Sequence, residues 1–329
     1  MSYISVIGAG SWGTTLAAVL AEKGYDITLW THETELAERI NAERTNPLYL
    51  PGYVLPPSLV ATDDLDEALH SARFVLSVVP TQYIRSVFGR ATVNSECMVV
   101  SAAKGIEIST FETPSMILAE LLGRPVSALS GPSFAKEVMA KMPTAVTLAA
   151  PDSKTGYILQ EIFNTDYFRV YTHDDIVGVE IGGAMKNVIA IASGICDGLA
   201  LGHDARAALI TRGLSEMKRL GLTFGAQEIT FSGLSGIGDL VLTCTASLSR
   251  NYSVGFNLGK GKTLAEITAQ TNSVAEGVST TLAAWHLSRE KGIEMPITEQ
   301  VYLTLYEGKS PALAVRDLMT RSLKTEFYG

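Results

Sequence analysis

The stretch Tyr-Ile-Ser-Val-Ile-Gly-Ala-Gly-Ser-Trp-Gly, residues 3–13, decides how this chain is read. The apolar run from Tyr3 to Ile7 fits a strand, the glycines fit a turn, and the residues beyond fit a helix ending near Lys23. Each glycine has its own task in such a unit. Gly8 permits the tight turn, Gly10 lets the backbone approach a pyrophosphate, and Gly13 lets the helix pack closely on the strand. The N–H groups at the helix start then face the anion. A glycine turn alone is a weak signal, but a second strand, Asp26 to Trp30, follows this helix and favours dinucleotide binding over a purely structural turn.

The end of that second strand bears on which nucleotide is taken. NAD-specific sites usually close the strand with an Asp or Glu that bonds the ribose hydroxyls. Here Trp30 is followed by Thr31 and His32, so a 2′-phosphate is not repelled and His32 is placed to donate to it. Glu33 lies one residue further on, and His32 also fits a solvated loop. The expectation is that NADPH is accepted and preferred.

At 329 residues the chain is long for one core, so two domains are expected. Hydrophobic residues make up 47% and charged ones 18%, a globular composition, and no segment reads as the ~20 apolar residues that span a bilayer. The chain enters its first strand without a basic leader or cleavage site, which predicts a cytoplasmic location. Cys97, Cys196 and Cys244 are too dispersed for a disulfide framework and read as reduced thiols in apolar surroundings. The histidines His32, His70, His173, His203 and His286 show no ligand spacing, so no metal is expected. A net charge of −8 argues against a nucleic-acid surface, and an anionic ligand would need locally placed cations.

Up to about residue 170, β-rich runs alternate with helical segments: Arg73 to Val79, Cys97 to Ser101, Pro125 to Ser130, Thr144 to Ala149 and Phe168 to Tyr171. That alternation predicts an α/β domain over residues 1–173, Rossmann-like, with a doubly wound and mainly parallel sheet. Several strand ends run into turn residues, as at Pro80-Thr81, Lys104-Gly105 and Gly131-Pro132-Ser133, and such ends line the ligand crevice of these folds. From Asp174 to Gly329 helical periodicity takes over, with candidates at Ile176 to Cys196, Ala205 to Leu220 and Gly277 to Lys291, which predicts an all-helical second domain. The first of these is crowded with small residues and reads as a buried helix at the domain junction. The proline-rich segment Asn46 to Gly52 reads as a surface excursion of the first domain.

A nicotinamide cofactor implies hydride transfer, and the protein must then exchange a proton at a carbonyl oxygen. Lys186, amid Ala184-Met185 and Asn187-Val188, is the leading acid/base, because desolvation and nearby cations lower a lysine's pKa toward neutrality. The alternative is a lysine whose stem crosses the helix surface and whose ammonium reaches water. Lys104 is placed to bind a substrate oxygen or phosphate, or is simply solvated. Asp239 is placed to orient Lys186 or to cap a helix, and Arg250 offers a fork for phosphate or carboxylate or is a surface charge.

Five ordered motifs carry a specific resemblance. They are Gly8-Ala9-Gly10-Ser11-Trp12-Gly13-Thr14, Ala103-Lys104-Gly105, Ser130-Gly131-Pro132-Ser133-Phe134-Ala135, Ala184-Met185-Lys186-Asn187-Val188 and Gly238-Asp239-Leu240. With Cys244, Ser249-Arg250-Asn251 and Val274-Ala275-Glu276-Gly277, the pattern resembles the bacterial-type NAD(P)-dependent glycerol-3-phosphate dehydrogenases over nearly the whole chain. The resemblance implies reversible reduction of dihydroxyacetone phosphate to sn-glycerol 3-phosphate, a glycerophospholipid precursor. It implies Lys186 as proton donor and acceptor, and Lys104 as a residue touching both substrate and cofactor. Asn187, Gly131, Ser133, Asp239, Thr243, Ser249, Arg250 and Asn251 match substrate-side positions, with Gly131, Ser133 and Arg250 also bordering the cofactor. Gly8, Gly10, Ser11, Trp12, Gly13, His32, Ala135, Val274 and Glu276 match the cofactor side, and His32 stands where many relatives carry Arg. A homodimer is the expected assembly. Two other readings remain open: a related hydroxyacid or ketoacid dehydrogenase, and a sensor that binds NAD(P) without chemistry.

Overall fold

A computed structural model of the chain describes residues 3–70, 72–269 and 275–326. Eight strands form one sheet: β1 Tyr3–Ile7, β2 Asp26–Trp30, β3 Leu59–Thr62, β4 Phe74–Ser77, β5 Met98–Ser101, β6 Ser127–Ser130, β7 Thr144–Ala149 and β8 Phe168–His173. Their order is β3-β2-β1-β4-β5-β6-β7-β8, and every neighbouring pair is parallel except β6 with β7. Helices cover both faces, which is why β4 and β6 are buried along their whole length and read as unbroken runs instead of alternating ones. One face packs Leu16, Leu20, Leu29, Phe74, Leu76 and Phe168 together, and the other packs Ile7, Val75, Val99, Ile117 and Leu118. The strand order reverses between β1 and β4, and their carboxyl ends open the crevice that ligands use in such sheets.

Gly8 has φ +115°, and a Cβ there would stand 2.8 Å from the Val78 oxygen, so both conformation and space demand glycine. The helix α1, Ser11–Glu22, starts directly after the turn. The next strand is followed by α2, Thr34–Glu43.

Beyond β8 the regular elements among the described residues are all helices. A 23-residue helix, Ile176–Gly198, runs through the centre of this half, with 20 of its residues buried, and it also packs on β6. By length and composition alone it is apolar enough to cross a membrane, contrary to the expectation that no segment would be. It is a core helix, 89% of its apolar window being buried inside the protein. Its small residues permit the close packing: a Cβ on Gly182 would lie 2.5 Å from the Ser235 oxygen, and one on Gly194 would collide with the Tyr252 oxygen. Around it lie His203–Thr223, Asp239–Thr245, Arg250–Gly259, Glu276–Lys291 and Pro296–Tyr306. All three cysteines are free and buried.

Two expectations need correction. The strand β3 is absent from the sequence reading, because its four residues follow a proline-rich segment and carry no usable alternation. The Asn46 to Gly52 segment is irregular, but it is no mere surface excursion. Asn46 and Leu50 are buried, and the Asn46 amide donates to the Ala9 oxygen and to Thr14 Oγ1, both at 2.8 Å.

Candidate active site at the carboxyl edge of the sheet

The loop after β5 and the end of β6 meet the central helix at the carboxyl edge of the sheet, where Arg250 reaches the glycine turn and Glu276 the loop after β4. The best-defined cluster there is a carboxylate held between two ammonium groups. Asp239, at the first position of its helix and 1% exposed, accepts from Lys186 Nζ at 2.6 Å through Oδ1 and from Lys104 Nζ at 2.6 Å through Oδ2. Lys186 Nζ also donates to Thr243 Oγ1 at 2.8 Å, and Lys104 Nζ donates to the Gly131 oxygen at 3.2 Å. The Lys186 ammonium is therefore buried and paired, not extended to water. Burial lowers its pKa to about 8; Asp239 resists that fall and Lys104 assists it. For Asp239 burial pushes the carboxyl up, but the two lysines outweigh it and hold it below its ordinary range. An ammonium has three donors, and Lys186 uses two of them on these partners.

The neighbouring residues mostly build the frame. Asn187 is buried one residue on, with its amide facing the Gly183 oxygen at 3.4 Å and the Lys104 oxygen at 3.5 Å. Ser133 Oγ donates to the Gly131 oxygen at 3.1 Å. Ser249 is the N-cap of Arg250–Gly259, its hydroxyl accepting from the Tyr252 amide at 3.2 Å. Asn251 Oδ1 accepts from the Gly277 amide at 3.0 Å, tying this helix to the start of Glu276–Lys291. Arg250 reaches across to donate to Ser11 Oγ, so the second half of the chain touches the glycine turn.

On the other side of the crevice, Gly13 is required by packing, since a Cβ there would collide with the Gly8 oxygen. Gly10 is different: a Cβ there would meet nothing within 4 Å, so the protein's own packing does not require glycine at that position. The first turn of α1 carries no side-chain cap, leaving its N–H groups for an external acceptor. An open cradle at Gly10 beside these donors fits a dinucleotide pyrophosphate. The partly buried Trp12 ring lies 6.4 Å from that of Phe168, between centroids. Ala135 begins the short helix Ala135–Met139, and its carbonyl accepts from Thr15 Oγ1 of α1 at 3.4 Å. His32 is exposed beyond β2, its ring 6.4 Å from that of Trp30. Val274 lies outside the described residues.

Glu276 links the two halves in a way the sequence did not suggest. Its Oε1 accepts from the backbone N–H and the hydroxyl of Thr81, each at 3.0 Å, just past β4. Burial raises its pKa while these donors pull the other way. Thr81, Tyr49 and Asn46 were missed as site residues. A Pro-Thr pair after a strand was the one available hint for Thr81, and the proline-rich composition around the other two pointed away from them.

A doubly wound sheet with an open glycine turn, joined at its carboxyl edge to a helical half whose buried Lys186 shares Asp239 with Lys104 from the loop after β5, defines a two-part dinucleotide-binding protein of the dehydrogenase type. Comparison with known proteins narrows the class. Residues 3–156 match the model for the NAD-dependent glycerol-3-phosphate dehydrogenase N-terminus, and residues 175–316 match that for its C-terminus. The chain belongs to the NAD-dependent glycerol-3-phosphate dehydrogenase family. It is 55% identical over 329 residues to the glycerol-3-phosphate dehydrogenase [NAD(P)+] of Citrifermentans bemidjiense, covering 98% of each chain. It is 54% identical to the enzyme of that name from Geobacter sulfurreducens, with the same coverage. The crystal structure of glycerol-3-phosphate dehydrogenase from Coxiella burnetii superposes with a TM-score of 0.94 at 42% identity, over 97% of this chain and 99% of that one.

Proposed function

We propose that this chain catalyses the reversible NAD(P)H-dependent reduction of dihydroxyacetone phosphate to sn-glycerol 3-phosphate, supplying glycerophospholipid synthesis. The observation that carries the reading is the Lys186–Asp239–Lys104 cluster at the crevice edge, with Lys186 and Asp239 buried. The nicotinamide, when bound, supplies the hydride that arrives at the carbonyl carbon. Gly8, Gly10 and Gly13 shape the turn that would receive the pyrophosphate, with Ser11, Trp12, Ala135, Arg250 and Glu276 around it.

Lys186 is the proposed acid. Its third N–H is available to the substrate carbonyl oxygen, and with a pKa of about 8 it is mostly protonated at neutral pH yet gives up its proton readily. The proton moves from Nζ to the carbonyl oxygen, and the amine left behind takes one from solvent. Asp239 and Thr243 fix the direction of Nζ, and the Lys104 ammonium adds positive charge where the oxygen becomes negative. In a protein of net charge −8 a phosphate dianion needs such local cations. We assign it to Arg250, with Asn187, Asn251, Ser249, Gly131 and Ser133 as the surrounding polar frame. The division at residues 173 and 174, a homodimer and a cytoplasmic location belong to the same proposal.

The test is spectrophotometric: purified protein with dihydroxyacetone phosphate and NADPH or NADH, beside a panel of keto acids. Oxidation of the nicotinamide with the phosphate ester alone supports the proposal. Turnover only with a keto acid would replace the substrate, and tight nucleotide binding without turnover would favour a sensor.

A further inference from the structure

The carboxylate that follows β2 in the chain is engaged by the protein itself. Glu33 Oε1 accepts from Tyr49 Oη at 2.6 Å, and Oε2 accepts from Thr31 Oγ1 at 2.6 Å. Burial pushes the Glu33 carboxyl up, but the Thr31 and Tyr49 donors, together with its own backbone N–H and the neighbouring His32, outweigh it, so it stays below its ordinary pKa and is charged at neutral pH. Tyr49 is pushed up to about 12, by burial and by Glu33, so it remains a donor at every working pH. Hydrogen bonds to an ionised acceptor are the strong ones, and turning Glu33 outward to serve a ligand would forfeit two.

Tyr49 is itself anchored. Its backbone N–H donates to Asn46 Oδ1 at 3.0 Å, and the Asn46 amide donates to the Ala9 oxygen in the glycine turn at 2.8 Å. A continuous chain of contacts thus runs from the turn through Asn46 and Tyr49 to Glu33 and back to Thr31 at the end of β2. Tyr49 also interacts electrostatically with Arg250, which donates to Ser11. The proline-rich segment therefore borders the same crevice as the turn.

We propose that Tyr49 is a specificity-determining residue: by clasping Glu33 it holds that carboxylate away from the ribose hydroxyls it would otherwise bond, and so leaves the site open to NADPH. This rests on the dinucleotide reading given above. A carboxylate at this end of β2 is the usual mark of NAD selectivity, and this chain has one in nearly that place but tied back. His32 is exposed beside it.

The experiment is calorimetric titration of NADPH and NADH into the wild type, Tyr49→Phe, Glu33→Gln and the double variant, with each melting temperature recorded. Tyr49→Phe removes the donor while keeping the ring, and is expected to weaken NADPH relative to NADH by about tenfold, with the ratio restored when Glu33→Gln is added, as coupling through one pair requires. A change in the ratio below about threefold, an equal loss for both nucleotides, or a shift that persists in the double variant would overturn the clasp. Because the ratio is taken within each variant, general destabilisation does not move it. Failure of the wild type to bind either nucleotide would overturn the dinucleotide reading itself, and this inference with it.

Discussion

Replacing Asp239 with Asn should move the proton chemistry of the site in a calculable direction. The carboxylate lies 2.6 Å from each of two ammonium nitrogens and is 1% exposed, so Asp239→Asn leaves Lys186 and Lys104 facing each other without a counter-charge. For unit charges about 4 Å apart between centres, an effective dielectric of about 20 gives roughly 4 kcal/mol of attraction lost by Lys186. At 1.36 kcal/mol per pH unit the upper bound is a displacement of about three units, and relaxation of the freed side chains reduces it. In the reduction direction Lys186 must be protonated, so wild-type kcat/KM is expected to fall as pH rises through about 8. In Asp239→Asn that fall should move to the acid side of neutrality, leaving activity at pH 8 at least about tenfold lower but substantially recovered at low pH. The assay is kcat/KM for dihydroxyacetone phosphate with NADPH from pH 5 to 9.5, alongside thermal melts, because breaking a buried pair costs about 3–5 kcal/mol. Lys104→Met is the control of opposite sign: it removes a cation that lowers the Lys186 pKa, so the fall should move to higher pH. An alkaline limb unmoved in both variants would refute the reasoning.

Lys186→Met should abolish turnover while leaving the calorimetric affinity for NADPH within about threefold of wild type; retention of a tenth of kcat would assign the acid elsewhere. Arg250→Ala should chiefly raise the KM for dihydroxyacetone phosphate, by about tenfold or more, as loss of a contact common to ground and transition states does, and an unchanged KM would move the phosphate site. Glu180, on the central helix, accepts from Ser115 of the sheet domain at 2.9 Å, and burial raises its pKa to about 7. Its folded form therefore holds a proton over the window from 4.5 to about 7 that its unfolded form has released. Its favourable contribution is full below that window and is lost as pH rises through about 7, by roughly 3 kcal/mol in total. Urea midpoints of wild type should thus drop between pH 5.5 and 8 by more than those of Glu180→Gln, and equal drops would show that Glu180 does not titrate in this range.

The sheet was readable because strands buried on both faces leave continuous apolar runs, and turn residues mark where each one ends. β1, β2 and β7 match their expected limits residue for residue. Strand β3 was not readable: four residues, one side turned to solvent, give neither a run nor a period. Lys186 stood out because a lone lysine in an apolar, glycine-rich helix has few ways to be accommodated. Its sharing of Asp239 with Lys104 did not stand out, since those two partners lie 135 positions apart and only the tertiary fold brings them together. The same holds for Glu276 with Thr81, 195 positions apart. The Asn46 to Gly52 segment misled for a different reason. Proline and turn propensity describe its backbone correctly, but they say nothing of the Asn46 amide that anchors it under the glycine turn.

The most direct measurement is the change in nicotinamide absorbance when the purified protein meets dihydroxyacetone phosphate and NADPH, repeated with Lys186→Met. The account predicts rapid oxidation with the wild type, with sn-glycerol 3-phosphate as product, and none with the variant. No oxidation by a folded wild type that binds NADPH, or full activity in Lys186→Met, would contradict it.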